Sequence, residues 1–418
     1  MKETLSLINK LMRLAASMII LVCILEAGSL IILQVIGVNL PFKEIVAKRT
    51  NVHLSVTGKC ALPESNFKLH PYLAFTSGRC FEVNELGLTG RRLERDKPGI
   101  FRIGIVGGSV AKQFGGLQLR EPAAFEQHLN ECYQAKGYDE IRIINFADGA
   151  WKHPQQSIAL LLWGQEIDAV LVLEGFNEHY NLTNLIDFSV PASTFFSLAN
   201  RGPLTAMYID VVESVAKSKI SYSHTVKLTA WLFGETLKQL PSASDLHSAK
   251  DFVYRERAAV NKSDDQLANV KAYKQALANL KQLSIAHQLP VAFVLQPFPN
   301  GKHLTPYEKR VVTYMASDKH LQLTREVFSK IEPALDASAL FEHEEQTIFG
   351  DPIHFNNRDQ ASGKEVMLGH TYGDRVLARH IASFLAEQPD WPLNAKEASC
   401  GDEAAIFAHH KNQGSKSQ

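Results

Sequence analysis

The sequence FRIGIVGGS, from Phe101 to Ser109, gives the clearest indication of how this chain folds. Apart from Arg102 its first six residues are apolar or small, as expected for a strand that is buried on both faces. Two glycines end this run, and Ser109 follows them directly. In an open parallel sheet, ligands bind at the carboxyl ends of the strands. The stretch therefore predicts a buried strand that presents a serine at the functional edge of a sheet.

Strand-like and helix-like segments alternate along the rest of the chain. Further buried-strand runs are predicted at residues 141–146, 169–173 and 290–295, and helical spacing is found at residues 122–137, 154–167, 264–287, 321–334 and 377–385. Strands that alternate with helices in this way predict βαβ units and a parallel sheet, so the expected fold class is α/β. The alternation lapses at about residues 180–262, which we interpret as a helical insertion.

The N-terminus carries a long apolar run, residues 14–40, with Glu26 as its one charge. A helix of that length spans about 40 Å, more than the hydrocarbon core of a bilayer, which is about 30 Å. We therefore predict a single inner-membrane anchor at residues 14–40, with residues 1–13 in the cytoplasm and the rest of the chain in the periplasm or outside. The alternative is a cleaved signal peptide, since Ala27 and Gly28 are small residues behind an apolar segment.

The remaining chain divides into a stem at residues 41–99, one domain at residues 100–386 and a polar tail at residues 387–418. Cys60 and Cys80 form a candidate disulfide, which would fit an exported domain. The alternative for this pair is two unrelated thiols.

Composition excludes several classes of function. The chain has 418 residues, with 44 basic and 44 acidic side chains and hence no net charge. That balance argues against a broad basic face, so we expect no nucleic-acid partner. Five cysteines are too few for a disulfide scaffold, and the sequence has no cysteine or histidine cluster with the spacing of a metal site. We expect no metal and no cofactor.

Four short segments carry residues that suggest chemistry. Ser109 follows the first strand, the sequence NFADG ending at Gly149 follows the second, and the sequence GFNE containing Asn177 follows the third. Near the C-terminus, Asp351 and His354 stand three residues apart. A serine hydroxyl needs a base to act as a nucleophile, and the base needs a carboxylate that fixes its tautomer. Each segment alone is equally an ordinary turn or helix cap.

Taken together, the four segments resemble the SGNH hydrolase superfamily, also called GDSL-type esterases, over about residues 100–385. The resemblance implies a three-layer α/β/α, flavodoxin-like parallel sheet of about five strands. It also implies that Ser109 is the nucleophile, that His354 is the base and that Asp351 orients His354.

The same resemblance implies an oxyanion hole made by the N–H groups of Ser109 and Gly149 and by the side chain of Asn177. Two departures from the family pattern stand out. GGS replaces the usual Gly-Asp-Ser at residues 107–109, and GFNE replaces the usual Gly-x-Asn-Asp at residues 175–178. The strings WKHPQQ and EGFNE, at residues 151–156 and 174–178, look like a membrane-anchored bacterial subgroup of the superfamily.

The resemblance implies a membrane-anchored serine ester hydrolase or O-acyltransferase that acts on acylated cell-envelope or exported polysaccharide. Polysaccharide-assembly proteins are candidate partners. Glu178, His153 and Lys152 are candidate substrate-binding residues, and their alternative is a purely structural role. Two other functions stay open. One is a lipase or thioesterase, whose acyl pocket would come from the aromatic residues of the insertion; the other is a catalytically inert module that binds glycan or acts as a scaffold.

Overall fold

The computed structural model describes residues 2–41, 44–45, 67–77, 83–178, 215, 218–239, 262–313, 315, 318–357 and 365–396. The chain forms two compact units, and each is described by itself. Unit 1 comprises residues 1–68, 79–81 and 196–255, and unit 2 comprises residues 69–78, 82–195 and 256–418.

Within the described residues, the helices are α1 (Lys2–Val35), α2 (Ser109–Phe114), α3 (Ala124–Cys132), α4 (Gln155–Trp163), α5 (His224–Gln239), α6 (Lys262–Ala286), α7 (Glu308–Val311), α8 (Asp318–Phe328) and α9 (Tyr372–Ala386). The strands are β1 (Phe67–His70), β2 (Ala74–Ser77), β3 (Ile100–Gly107), β4 (Tyr133–Ala135), β5 (Glu140–Ala147), β6 (Ala169–Glu174), β7 (Val291–Leu295), β8 (Ala334–Asp336) and β9 (Leu393–Ala395). Short 3₁₀ turns occur at Gly164–Glu166 and Lys219–Tyr222.

The core of unit 2 is a five-stranded sheet in the order β5-β3-β6-β7-β8, and every neighbouring pair is parallel. Counted along the chain this is the order 2-1-3-4-5, which is the flavodoxin-like arrangement. The predicted fold class is confirmed. The first strand of the sheet, β3, lies inside the sheet next to the edge strand β5, and the direction of winding reverses between β3 and β6. A crevice at the carboxyl ends of these two strands is the expected ligand site of such a sheet.

Helices cover both faces of this sheet. On one face α2, α3 and α9 contribute to a large apolar cluster with alternate residues of β3, β5, β6 and β7. On the other face α4 packs against β3 and β5, while α6 lies against α4 and α8. Burial on both faces explains why the strands are almost uniformly apolar rather than alternating. The three-layer α/β/α architecture is thus a consequence of the strand composition.

The structure differs from the sequence-based expectation at three short elements. The predicted helix at residues 122–137 ends at Cys132, and β4 follows it. β9 pairs antiparallel with β4, so the segment assigned to a polar tail begins with a strand whose neighbouring Trp391 is buried. The edge strand β8 stands where a helix was expected to end. A stretch of three residues gives too little periodicity to be recognised from sequence.

Part of the predicted stem belongs to unit 2. Phe75 is fully buried, and its carbonyl accepts a hydrogen bond of 3.0 Å from Trp151 Nε1. The carbonyl of Leu73 likewise accepts a hydrogen bond of 2.6 Å from Gln155 Nε2. These contacts brace the loop that follows β5, so the segment before β3 supports the functional edge of the sheet.

In unit 1, α1 packs against α5. The Glu26 carboxylate accepts hydrogen bonds from the Ser223 hydroxyl and, at 2.7 Å, from the N–H of His224. One turn further on, the Ser29 hydroxyl donates to the Thr225 hydroxyl over 3.3 Å. An apolar cluster continues the contact and contains Leu33, Val38, Ile45 and Ala230. The one charge of the predicted anchor therefore caps the first turn of a second helix, where exposed backbone N–H groups favour an anion.

Candidate active site

Ser109, His354 and Asp351 form a continuous hydrogen-bonded chain. His354 Nε2 lies 2.7 Å from Ser109 Oγ, and His354 Nδ1 lies 2.8 Å from Asp351 Oδ2. The serine comes from the start of α2, whereas the other two residues lie on a loop 245 positions later. The geometry suits a tautomer in which Nδ1–H donates to the carboxylate and Nε2 accepts from the hydroxyl.

Asp351 is bound on both of its oxygens. Its Oδ1 accepts backbone N–H groups from Ile353 at 2.7 Å and His354 at 2.8 Å, while Oδ2 faces the imidazole. Burial raises the pKa of Asp351, but the hydrogen bonds from the ring and backbone of His354 and from Ile353 outweigh burial and leave the pKa lowered. The group is therefore a carboxylate at neutral pH and can orient and stabilise an imidazolium.

The loop that carries Asp351 and His354 is held by a buried carboxylate, Glu308. Its Oε1 accepts the N–H groups of Ile348 at 2.8 Å and Phe349 at 3.0 Å, and its Oε2 lies 3.0 Å from Lys302 Nζ. Burial raises the pKa of Glu308, but the backbone hydrogen bonds and the one from Lys302 outweigh it and lower the pKa. Glu308 belongs to no recognisable motif and is simply an acidic residue near a proline-rich loop, so the sequence did not indicate its role.

The two glycines before Ser109 are required by close contacts. A Cβ atom on Gly107 would lie 2.1 Å from the carbonyl oxygen of Leu173 on the neighbouring strand. A Cβ on Gly108 would lie 2.3 Å from Asn177 Nδ2 and 3.1 Å from the carbonyl oxygen of Trp151. The turn after β3 thus packs directly on the turn after β6. A side chain at position 108 therefore has no room unless Asn177 moves.

The Asn177 side chain lies against the turn at residues 107–109, which presents Ser109. Its Nδ2 donates a hydrogen bond of 2.7 Å to the carbonyl of Trp151, which leaves the second N–H of the amide available for a substrate oxygen. The structure therefore brings Asn177 to the turn that presents Ser109.

Gly149 has a different environment from the one expected. Its N–H donates to Asp148 Oδ1 at 2.7 Å, and the same oxygen lies 2.8 Å from Lys112 Nζ. This buried ion pair joins α2 to the loop after β5. The buried Asn145 side chain makes a second link between the same segments, since its Nδ2 donates a hydrogen bond of 2.8 Å to the carbonyl of Lys112. The sequence analysis did not predict that Lys112 pairs with Asp148. Asp148 belongs to the NFADG segment, and Lys112 lies one helical turn after Ser109.

The three candidate substrate-binding residues lie in the interior. Lys152, His153 and Glu178 are each no more than 3% exposed, so their side chains do not line an open surface. His153 Nε2 instead lies 3.0 Å from Glu174 Oε2. Among the described residues, no group of three or more His, Cys, Asp or Glu side chains is placed to hold a metal ion.

The described cysteines include one disulfide partner. Cys132, at the end of α3, is disulfide-bonded, whereas Cys23 in α1 is free and exposed. Cys60 and Cys80 lie outside the described residues, so their pairing stays a prediction. The aromatic residues of the insertion, Phe188, Phe195 and Phe196, lie outside them as well.

Comparison with known proteins gives little further information. No family model matches the chain, and no curated protein matches it. Nine chains of solved structures match. One is a mutant of Axe2, an acetyl-xylooligosaccharide esterase from Geobacillus Stearmophilus, with a TM-score of 0.33 and 10% sequence identity. That match covers 69% of this chain and 95% of the esterase chain. At this level of similarity, the site geometry must carry any functional conclusion.

Proposed function

We propose that this chain is a serine ester hydrolase or O-acyltransferase. The observation that carries the proposal is the chain of hydrogen bonds from Ser109 through His354 to Asp351, with distances of 2.7 and 2.8 Å. A hydroxyl in contact with a neutral imidazole, which is in turn held by an ionised carboxylate, is the arrangement that makes serine a nucleophile.

The reaction would proceed in two steps. In the first, Ser109 Oγ attacks the ester carbonyl carbon while His354 Nε2 takes the hydroxyl proton. The C–O bond to the leaving alcohol then breaks, and the imidazolium returns that proton to the alcohol. In the second step, water or a sugar hydroxyl attacks the acyl carbon while His354 Nε2 takes its proton. The bond from the acyl carbon to Ser109 Oγ then breaks, and the imidazolium returns the proton to Oγ. Water gives hydrolysis, and a sugar gives acyl transfer.

The oxyanion formed in each step needs preorganised donors. The N–H of Ser109 belongs to the first turn of a helix and has no partner within that helix, and the free N–H of the Asn177 amide is the second donor. Gly149 can be a third donor only if its N–H is shared between the substrate and Asp148. Removing one such donor from a serine hydrolase typically costs about 3 kcal/mol of transition-state stabilisation.

We further propose that the protein is anchored in the inner membrane with unit 2 on the exported side. Residues Ala16–Val35 of α1 are long and apolar enough to cross a bilayer. The contacts of Glu26 with the first turn of α5 make α1 a packed part of unit 1, which favours an anchor that is kept over a signal peptide that is removed. The disulfide at Cys132 supports an oxidising compartment.

An exported, membrane-bound esterase would meet acylated polysaccharide of the cell envelope as a substrate, and polysaccharide-assembly proteins as partners. The resemblance of the motifs to SGNH esterases supports this substrate class by analogy. No described residue favours a lipase or thioesterase over this proposal. A catalytically inert module would have no need of a nucleophile, base and carboxylate in hydrogen-bonding register.

The test is covalent labelling of the full chain in detergent with a fluorophosphonate probe, followed by mapping of the label. We expect labelling at Ser109, loss of labelling in His354→Gln, and full labelling in the matched control His343→Gln. Assays of acid release from p-nitrophenyl acetate and acetylated glycan, with and without an added sugar acceptor, would then separate hydrolysis from transfer. A correctly folded chain that is not labelled at Ser109 would overturn the proposal.

A further inference from the structure

A cluster of charged side chains lies buried behind the candidate oxyanion site, and the reaction steps above do not use it. Glu174 ends β6, Glu178 follows it, His153 and Lys152 come from the loop after β5, and Tyr273 comes from α6. All five are at most 3% exposed. Burying charged groups is costly unless they are paired, so a fold that places them here needs a compensating role.

The cluster joins two segments that belong to the site. One is the loop and first helical turn at residues 148–156, and the other is the turn at residues 174–178. Three side-chain contacts cross from one to the other: Asn177 Nδ2 to the carbonyl of Trp151 at 2.7 Å, His153 Nε2 to Glu174 Oε2 at 3.0 Å, and Gln156 Nε2 to Glu178 Oε1 at 3.2 Å. In addition, Glu178 Oε2 accepts the N–H of Gly175 at 3.1 Å, which closes the turn that contains Asn177.

We propose that the Glu174–His153 ion pair and the Glu178 side chain are positioning residues for the oxyanion site, which hold the Asn177 amide against the nucleophile turn. This inference rests on the proposed serine-nucleophile function. The three cross-links act at the two segments that flank Ser109. Within the described part of the chain, the hydrogen bond that holds the Asn177 amide is the one to the carbonyl of Trp151, two residues before His153.

The two glutamates differ in their contacts, and the pKa of Glu178 is strongly shifted. Burial, with a smaller contribution from the Glu174 charge, raises the pKa of Glu178 to about 8, so this group is a neutral acid at pH 7. Burial lowers the pKa of His153, but the Glu174 carboxylate outweighs burial and the pKa is raised. Burial also raises the pKa of Tyr273 well above its usual range, so the phenol stays neutral. Lys152 is the remaining charged group that faces the cluster.

Hydrogen bonding at Gln156 agrees with a protonated Glu178. Gln156 Oε1 is buried and has no hydrogen-bond partner among the described residues. A rotation of the amide by 180° would let this oxygen accept a proton from the Glu178 acid, and the two amide orientations are hard to tell apart by shape. A glutamine at position 178 could make the same bond, so Glu178→Gln conserves the neutral form, whereas Glu174→Gln removes a charge from an ion pair.

The experiment compares Glu174→Gln, Glu178→Gln and Glu178→Leu with the wild-type full chain in detergent. The readouts are kcat and KM for p-nitrophenyl acetate and the rate of fluorophosphonate labelling at Ser109. We expect Glu174→Gln and Glu178→Leu to lower kcat by about 10²-fold with KM within about twofold, because a displaced donor acts in the transition state. Glu178→Gln is expected to stay within about threefold of wild type.

A pH profile provides a measurement that does not depend on a damaging variant. Ionisation of Glu178 would place a second negative charge beside Glu174, so wild-type kcat should fall above about pH 8 while kcat of Glu178→Gln should not. Equal alkaline limbs in the two proteins, or a folded Glu174→Gln with wild-type kcat, would overturn this inference. Failure of the proposed function has a different signature, since wild-type Ser109 itself would then remain unlabelled.

Discussion

Replacing Gly108 by alanine should disable the oxyanion site without touching the triad. The new Cβ would lie 2.3 Å from Asn177 Nδ2, whereas an ordinary contact begins at 3.4 Å, so the amide must move by about 1.1 Å. The backbone at Gly108 is extended, with φ −92° and ψ −152°, and so lies outside the left-handed region that favours glycine. A shift of about 1 Å at a reacting group can cost about 10²-fold in rate. We therefore expect Gly108→Ala to lower kcat by about 10²-fold, or about 3 kcal/mol.

The same structure predicts that this effect is not independent of Asn177. Asn177→Ala removes the donor and should lower kcat by about 10²- to 10³-fold. It also removes the atom with which the new Cβ collides, so Gly108→Ala in that background should change kcat by less than about fivefold. Two independent effects would instead multiply to at least about 10⁴-fold.

The assay is steady-state hydrolysis of p-nitrophenyl acetate by the four members of the cycle, together with fluorophosphonate labelling to confirm that Ser109 remains reactive. Gly115→Ala is the matched control, because Gly115 ends α2 in a right-handed helical conformation and a Cβ there approaches no atom closer than 3.3 Å. Multiplicative losses in the double variant would refute the steric argument and, with it, the assignment of Asn177 as a donor that contacts this turn.

Three further predictions concern stability. Lys112→Met leaves the buried Asp148 carboxylate without its ammonium and should destabilise the chain by about 3–5 kcal/mol. In thermal unfolding, adding Asp148→Asn should restore most of the lost stability. A Lys112→Met variant as stable as wild type would contradict this. The pKa of Glu308 is lowered in the folded protein, so its carboxylate makes wild type more stable than Glu308→Gln. That difference in stability should be full above about pH 4.5 and should shrink as the pH falls through the folded pKa. A difference in melting temperature that does not change with pH would count against this prediction. Glu26→Leu removes the cap of α5 and should lower the melting temperature of the full chain in detergent, while Glu26→Gln should lower it less. Equal melting temperatures for the two variants would reject the cap.

The sequence predicts the sheet well because its strands are buried on both faces. Mostly apolar runs of five or six residues, each closed by glycine or a polar turn, leave little choice of structure. Three of the four strands so identified lie within the observed ones, and the fourth, at residues 290–295, begins one residue before the observed strand. The short strands β4, β8 and β9 escaped recognition because their stability comes from a neighbouring strand rather than from their own composition.

Side-chain environment is harder to predict than fold. Lys152, His153 and Glu178 are charged residues in loops beside the nucleophile, and such residues are exposed in most proteins. Their burial depends on the helix α6 and on the ends of β6 and β7, which come from distant parts of the chain, and no local pattern reports it. Because these side chains are buried, we propose a role inside the protein for them rather than direct contact with substrate.

The position of His354 relative to the sheet explains why the loop before it needs an anchor. The serine turn follows β3, an inner strand, but the loop with Asp351 and His354 follows β8 at the edge, three strands away. At about 4.8 Å per strand this is a distance of about 14 Å, which the chain must cross over the carboxyl ends of β6 and β7 without a strand of its own to fix it. The Glu308 carboxylate binds two consecutive N–H groups, at Ile348 and Phe349, just before the turn of His354. These hydrogen bonds offset the cost of burying the Glu308 carboxylate. They also fix the loop at the point where His354 Nε2 must stay within hydrogen-bonding distance of Ser109.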